Sequence, residues 1–229
     1  MSEVKVNKIS PRSGTTVTIG DSGDTITIPA GATFTNSGTT SSSAITVSGA
    51  LAVDGGTIKL DGNYPTGTAN VALGNTALSS GSLSGGFNVA LGSDALASNT
   101  SGSQNIAIGY YSAQSTTTGS QNIAIGRNSL TSNTTGSTNV AIGDLALQAN
   151  TTANNNTAIG YESLTTNTTG TENVGVGRYS LRANTTADYN TAIGTNALFA
   201  NTTGNSNVAV GKGAADAVTT GSSNTAIGT

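Results

Sequence analysis

Neither cysteine nor histidine occurs in the 229 residues of this chain. Without cysteine there is no disulfide framework and no thiolate nucleophile. Without histidine the commonest general base and the commonest metal ligand are missing as well. Charge is scarce, at 8% of residues, and aromatic residues are scarcer still, at 4%. Eight basic residues against eleven acidic ones, a formal net charge of -3, supply no cationic stripe for nucleic acid or anionic lipid. Nowhere do about 18 apolar residues run together, so no membrane insertion is expected. The opening Met1-Ser-Glu-Val-Lys-Val-Asn-Lys lacks the apolar core of a secretory leader, and synthesis in a cytoplasm is the expectation.

What the chain has instead is repetition. An Asn opens each copy of one pattern at 70, 88, 105, 122, 139, 156, 173, 190, 207 and 224, giving a first interval of 18 residues and eight of 17. The copy NVAIGDLALQANTTANN at 139–155 is representative. So strict a period means a stacked array whose units bury surface only against one another. With 31 glycines and few bulky side chains, a single thick core is not expected.

Counting each copy from its Asn as position 1, position 5 is Gly in every copy and position 15 is usually Gly, which marks two turns per coil. Position 4 is always Leu, Ile or Val and is expected to point into a core. Position 2, Val or Ile except at Thr157, Thr191 and Thr225, shares that face. Position 9, mostly Leu but Ala113 and Ala215 in two copies, supplies the opposing wall. The pattern predicts an all-β solenoid, or β-roll, in which each coil runs strand, Gly turn, second strand, turn, with about 4.7–4.9 Å between coils. Nine complete coils and a partial tenth make a rod segment of roughly 45 Å. A helical alternative fails on the density of Gly, Asn and Thr.

Position 3 reads Ala72, Ala90, Ala107, Ala124, Ala141, Ala158, Gly175, Ala192, Ala209 and Ala226. If positions 2 and 4 point inward, position 3 points out of the coil, where a solvated column would drift to polar residues. A column held small therefore predicts close packing against other copies of the chain, with an intertwined or side-by-side homotrimer as the preferred closed arrangement. Position 6 varies and is expected at the surface. Tyr110, Arg127, Tyr161 and Arg178, with Tyr111 and Tyr179 beside them at position 7, are the candidate contacts for a cell-surface glycan or protein. The plainer reading of that column is a ladder of Arg127–Asp144 pairing and Tyr–Arg stacking between coils. Asn at positions 1 and 12 predicts stacked amide ladders. The Thr pairs at positions 13 and 14 predict one ladder column and one presented column, since adjacent strand residues face opposite sides. No paired acids, nucleophile with its base, or calcium-binding nonapeptide is present, so no catalytic residue, cofactor or metal is expected.

Ahead of the repeats, short alternating runs at 17–20, 26–29, 45–47, 51–53 and 57–60, bounded by Gly and Asp-Gly, read as brief strands. Residues 61–69, holding Pro65 and Gly67, separate this N-terminal β-rich region (1–69) from the repeat shaft (70–229).

The NVAIG and NTAIG strands followed by ALxxNTTG resemble the repeat arrays of bacteriophage tail fibres, and more loosely the β-roll heads of trimeric autotransporter adhesins. The segment VNKISPRSGTTVTIGDSGDTITIPAGATF is similar to the opening of tail-fibre proteins of marine podophages. The resemblance implies a structural virion protein, a homotrimeric tail-fibre shaft made in the host cytoplasm. It further implies attachment to other tail proteins through the N-terminus and a part in reaching the host. The head of a bacterial trimeric adhesin is the alternative, and a fibre-borne polysaccharide depolymerase is the least favoured. Because Thr229 falls six residues into the tenth copy, either a fragment or a distal capping or receptor-binding protein is expected there.

Overall fold

A computed structural model describes residues 69–228. The five short runs expected before residue 61 lie outside the described residues. The described part is all-β, and its ten three-residue strands are the same positions, 2 to 4, of successive copies. In chain order they are β1 Val71–Leu73, β2 Val89–Leu91, β3 Ile106–Ile108, β4 Ile123–Ile125, β5 Val140–Ile142, β6 Thr157–Ile159, β7 Val174–Val176, β8 Thr191–Ile193, β9 Val208–Val210 and β10 Thr225–Ile227. They form one parallel sheet in sequence order, in register copy on copy, with Ala107 opposite Ala124 and Ala124 opposite Ala141. The solenoid is therefore shown, with about nine turns. The insertion in the first copy is absorbed without a slip, since Ala72 still pairs with Ala90.

Hydrogen bonding between coils does not stop at the strands. In the coil 139–155, Val140 N–H donates to Asn156 O at 2.8 Å, Leu147 N–H to Ser163 O at 3.1 Å and Thr151 N–H to Thr168 O at 3.1 Å. Gly143 N–H and Leu145 N–H donate the other way, to Ile125 O and Arg127 O. Each coil is thus joined to its neighbours around its circumference, which satisfies backbone groups that would otherwise be buried unpaired.

The expected second strand is absent, and the reason is local. Positions 7, 9 and 17 are left-handed in copy after copy, as in Leu145 (φ 61°), Leu147 (φ 50°) and Asn155 (φ 59°). Such alternation breaks the pleat into a run of turns while leaving every second N–H aimed along the rod. Leucine rarely tolerates positive φ. Here the neighbouring coils over-determine it, because the backbone on each side of Leu147 is bonded both upward and downward.

Position 5 must be glycine on two grounds. Gly126 has φ 136°, and a Cβ added there would lie 2.5 Å from the carbonyl oxygen of Gly143 in the next coil.

The interior differs from the sequence expectation in one essential respect: positions 2 and 4 face outward and position 3 faces inward. Ala90, Ala107, Ala124, Ala141, Ala158, Ala192 and Ala209 are fully buried inside their own coils, and Gly175 is buried with them. Ala72 and Ala226 are partly buried against the same core in the first and last rows. The Ala column therefore lines the lumen of a single chain and presents nothing to a neighbouring one. The physical reason is space. Leu78, Leu96, Leu130, Leu147, Leu164, Leu181 and Leu198 at position 9 are fully buried and fill the narrow lumen. Only a methyl group fits on the strand facing them. Ser or Ala at position 8 completes that wall, with Ser112 Oγ donating to Ala124 O at 2.8 Å. At Gly175 even a methyl would crowd, since an added Cβ would sit 2.6 Å from Ser163 Oγ.

Two asparagine ladders complete the core. At position 1, Asn139 N–H and Nδ2 both donate to Asn122 Oδ1 (3.0 and 3.2 Å), and Nδ2 also donates to Ala153 O at 2.8 Å. This column runs unbroken from Asn70 to Asn224. At position 12, Asn150 Nδ2 donates to Asn133 Oδ1 at 3.0 Å and Asn167 Nδ2 to Asn150 Oδ1 at 3.0 Å. The second ladder is weakened at Thr116, which still accepts from Asn133 Nδ2 at 3.4 Å but gives nothing to Asn99, and it ends where Val218 replaces Asn. The residues just before those two places, Asn99 and Asn201, keep buried side-chain oxygens with no hydrogen-bond partner among the described residues. Asn196 Oδ1 is also unpartnered, and nothing in the structure accounts for it.

Candidate functional site

Once the position 5 glycine has turned the chain off the strand, positions 6 and 7 emerge at a corner of the coil, and this corner carries most of the described aromatic and charged side chains. Because the period is fixed, each row sits directly above the last. The surface is therefore a column read as Tyr110, Arg127, Asp144, Tyr161, Arg178, Thr195 and Lys212. Tyr110, Arg127, Tyr161 and Arg178 are exposed, as the sequence predicts, and Tyr111 and Tyr179 are partly buried beside them.

The candidate residues fall into three groups. In the third row, Tyr110 and Tyr111 lie with ring centroids 3.9 Å apart and planes tilted by 35°. The neighbouring Tyr111 phenol raises the Tyr110 pKa, with desolvation adding to it. In rows four and five, Arg127 binds Asp144 through two bonds, Nε to Oδ1 at 3.2 Å and Nη2 to Oδ2 at 2.8 Å. The pairing expected between adjacent coils is present. Its contribution is small because the Arg127 side chain is 59% exposed.

The third group spans rows six to eight. Tyr161 and Tyr179 meet edge to face at 5.5 Å, and Tyr179 meets Phe199 in the same manner at 6.2 Å. The Arg178 guanidinium lies 4.3 Å from the Tyr179 centroid and 6.0 Å from that of Tyr161, so the expected Tyr–Arg stacking is also present. Arg182 lies 5.4 Å from the Tyr179 ring and 5.7 Å from the Phe199 ring. Its Nε donates to Glu162 Oε2 at 2.6 Å. The Tyr161 hydroxyl, with Arg182 second, holds the Glu162 pKa below the ordinary carboxylate value. Glu162 in turn raises that of Tyr161.

Glu162, Arg182 and Phe199 belong to this group but escape the sequence reading. The signal that would have found them is an offset of 20 residues. Position 10 of one coil covers position 7 of the coil before it, as Arg182 covers Glu162, Phe199 covers Tyr179 and Thr131 reaches Tyr111 O at 3.1 Å. Comparing only residues 17 apart leaves that diagonal out.

The opposite side of the coil is polar. At position 13 the Thr hydroxyls from Thr100 to Thr202 each donate to the carbonyl of the Thr one coil on, for example Thr151 Oγ1 to Thr168 O at 3.1 Å. At position 14, Thr118, Thr135, Thr152, Thr169, Thr186, Thr203 and Thr220 are all exposed. The single presented column is as expected.

Among the described residues no three His, Cys, Asp or Glu side chains come together in a group that could hold a metal ion. No helix among them is long and apolar enough to cross a membrane. A third surface, which the strand expectation did not foresee, is the outer face of the sheet. There two largely aliphatic columns, positions 2 and 4, run the length of the rod partly exposed, with Thr157, Thr191 and Thr225 the polar exceptions and Ile106 at 36%, Ile159 at 37% and Ile193 at 42% among the more exposed. Comparison with protein-family models, with curated proteins and with solved structures yields no match for the chain.

Proposed function

We propose that the protein is a structural and interaction protein: the homotrimeric shaft of a bacteriophage tail fibre, joined to the tail through residues 1–69 and involved in host attachment. The observation that carries this reading is the outer face of the ten-stranded sheet. A position 4 column of Val, Ile and Leu and a position 2 column of Val and Ile, interrupted by Thr157, Thr191 and Thr225, run at roughly 4.8 Å per row over ten rows and make a largely apolar strip. A strip of that length exceeds the isolated apolar patches usual on monomeric proteins. Packing three copies about an axis parallel to the rod removes all three strips from water at once and leaves the Tyr–Arg corner and the Thr column outside. The interface expected at the Ala column is replaced by this face. The virion assignment rests on the resemblance of the repeat and of the N-terminal segment to tail-fibre proteins, and the rod geometry is compatible with it. The role is mechanical and adhesive, with the shaft setting distance and presenting side chains in a fixed column.

Sedimentation velocity of the full chain tests the oligomer. A mass about three times 22.3 kDa is expected, falling to that of one chain in an Ile125→Asp/Ile142→Asp variant. A folded monomer in the unaltered protein sinks the trimer. Immunogold labelling of purified virions tests the location, and label absent from tails removes the fibre assignment.

A further inference from the structure

Arg127 and Arg182 are neutralised by carboxylates at 2.8 and 2.6 Å, whereas Arg178 is not. Among the described residues its one side-chain hydrogen bond runs from Nη2 to the Tyr179 hydroxyl at 3.1 Å. Its orientation is set by aromatic rings on two coils. From the attachment reading, on which this step rests, we infer that the corner of rows six to eight is a binding site for a carboxylate-bearing saccharide of the uronic-acid type, with Arg178 taking the carboxylate and Tyr161 the sugar ring.

Three observations converge. The first is concentration: Tyr161, Tyr179, Phe199, Arg178 and Arg182 meet on three successive coils of a chain with 4% aromatic and 8% charged residues. The second is charge. Arg178 and Arg182 against Glu162 leave the corner of rows six to eight at +1, within a protein of net charge -3. An anion is therefore drawn to this corner more than to the rest of the rod. The third is shape. A guanidinium offers a planar fork that a carboxylate matches bidentately. Tyr161, 40% exposed, lies with its ring centroid 6.0 Å from that guanidinium. One pyranose can thus place its carboxylate on Arg178 and its C–H face on Tyr161, where the negative ring face attracts the C–H groups. Nucleic acid does not fit, because a single uncompensated cation cannot follow a phosphate backbone. The Tyr110–Tyr111 pair also has an arginine one row on, Arg127, but Asp144 holds that guanidinium through two hydrogen bonds, so no uncompensated cation stands beside those rings.

The test is titration of the intact protein with an oligogalacturonate, alongside a neutral galactose oligomer of equal length and acetate alone. Oligogalacturonate is expected to bind, with the other two much weaker. Arg178→Gln and Tyr161→Ser should each lower affinity about tenfold or more, and Arg178→Lys should recover only part of it. Arg127→Gln and Tyr110→Ser should leave it unchanged. Equal binding of the neutral oligomer, no binding of either, or full affinity in Arg178→Gln overturns the inference. Acetate matching the oligomer reduces it to a simple anion site and overturns the saccharide assignment. Sedimentation on the same samples keeps the two readings apart, since a monomer that binds refutes the trimer while sparing the site.

Discussion

The two long walls of the coil are built by opposite rules. On the strand wall, positions 2 and 4 push Val, Ile and Leu outward and keep Ala inside. On the threonine wall, position 13 turns its hydroxyl into the coil-to-coil ladder and position 14 offers a second hydroxyl to water. Both walls are hydrogen-bonded to their neighbours, so backbone pairing does not distinguish them. They differ in what they leave uncovered. The first is finished only by another apolar surface, and the second is complete in water. A rod with one wall of each kind has an inside and an outside when several rods assemble.

That contrast can be broken first at the lumen both walls share. Leu147→Ala empties the space between them and is expected to cost about 2–5 kcal/mol, read as a lower midpoint in chemical denaturation. A loss under ~1 kcal/mol means that Leu147 does not fill the lumen. The next test is selective. Ile125→Ser/Ile142→Ser should dissociate the assembly while circular dichroism keeps its β signature, whereas Thr135→Val/Thr152→Val should leave the mass unchanged. Equal effects from both pairs erase the difference between the walls. A third test divides neighbours on the polar wall: Thr151→Val removes a ladder hydrogen bond and is expected to cost about 0.5–1.5 kcal/mol, while Thr152→Val stays within ~0.5 kcal/mol. At exposed Gln121, held at φ 60°, replacement by Gly should stabilise by roughly 0.5–1 kcal/mol through relief of left-handed strain. The smallest effect is electrostatic. The folded-state pKa of Glu162 is depressed, so its contribution is present above the ordinary carboxylate pKa and is lost as pH falls through the lower folded value. Arg182→Gln should flatten that part of the stability profile, and an unchanged profile removes Arg182 from the cause.

The repeat made pairing and register legible because each strand meets a near-copy of itself: with a 17-residue period, Ala124 has only Ala107 and Ala141 to lie beside. The turn at the position 5 glycine, the inner wall of position 9 leucines, both asparagine ladders and the Arg127–Asp144 pair followed from the same rule. Which face of the strand turns inward did not. Three residues alternate in either sense, and placing the largest side chain inside fails in a lumen that one leucine fills. The deciding signal was variation. Positions 2 and 4 accept Val, Ile, Leu and in places Thr, which a surface or an interface tolerates, while position 3 never exceeds a methyl group, as a cramped interior demands. The second limb was misread for a related reason, since nothing in residues such as Leu147 or Tyr179 advertises positive φ, and only the stacked neighbours impose it. At the corner, the pairs between rows that involve Glu162, Arg182 and Phe199 run on a diagonal that a search along columns does not meet.

The weak places in the second asparagine ladder have a mechanical consequence. Coil 105–121 has Ala113 where most coils have Leu and Thr116 where they have Asn, and coil 207–223 has Ala215 and Val218 in the same two places. The filler is lost and the ladder weakened together, so the joints at these coils are the weakest in the series. In a stack where each unit holds only its neighbours, strength is not averaged along the length. Under tension or heat the rod parts at its faults, and the segment between them, residues 122–206, holds as one piece. Opening should begin beside Ala113 and Ala215, and filling both sites at the first fault, with Ala113→Leu and Thr116→Asn together, should move the point of failure elsewhere.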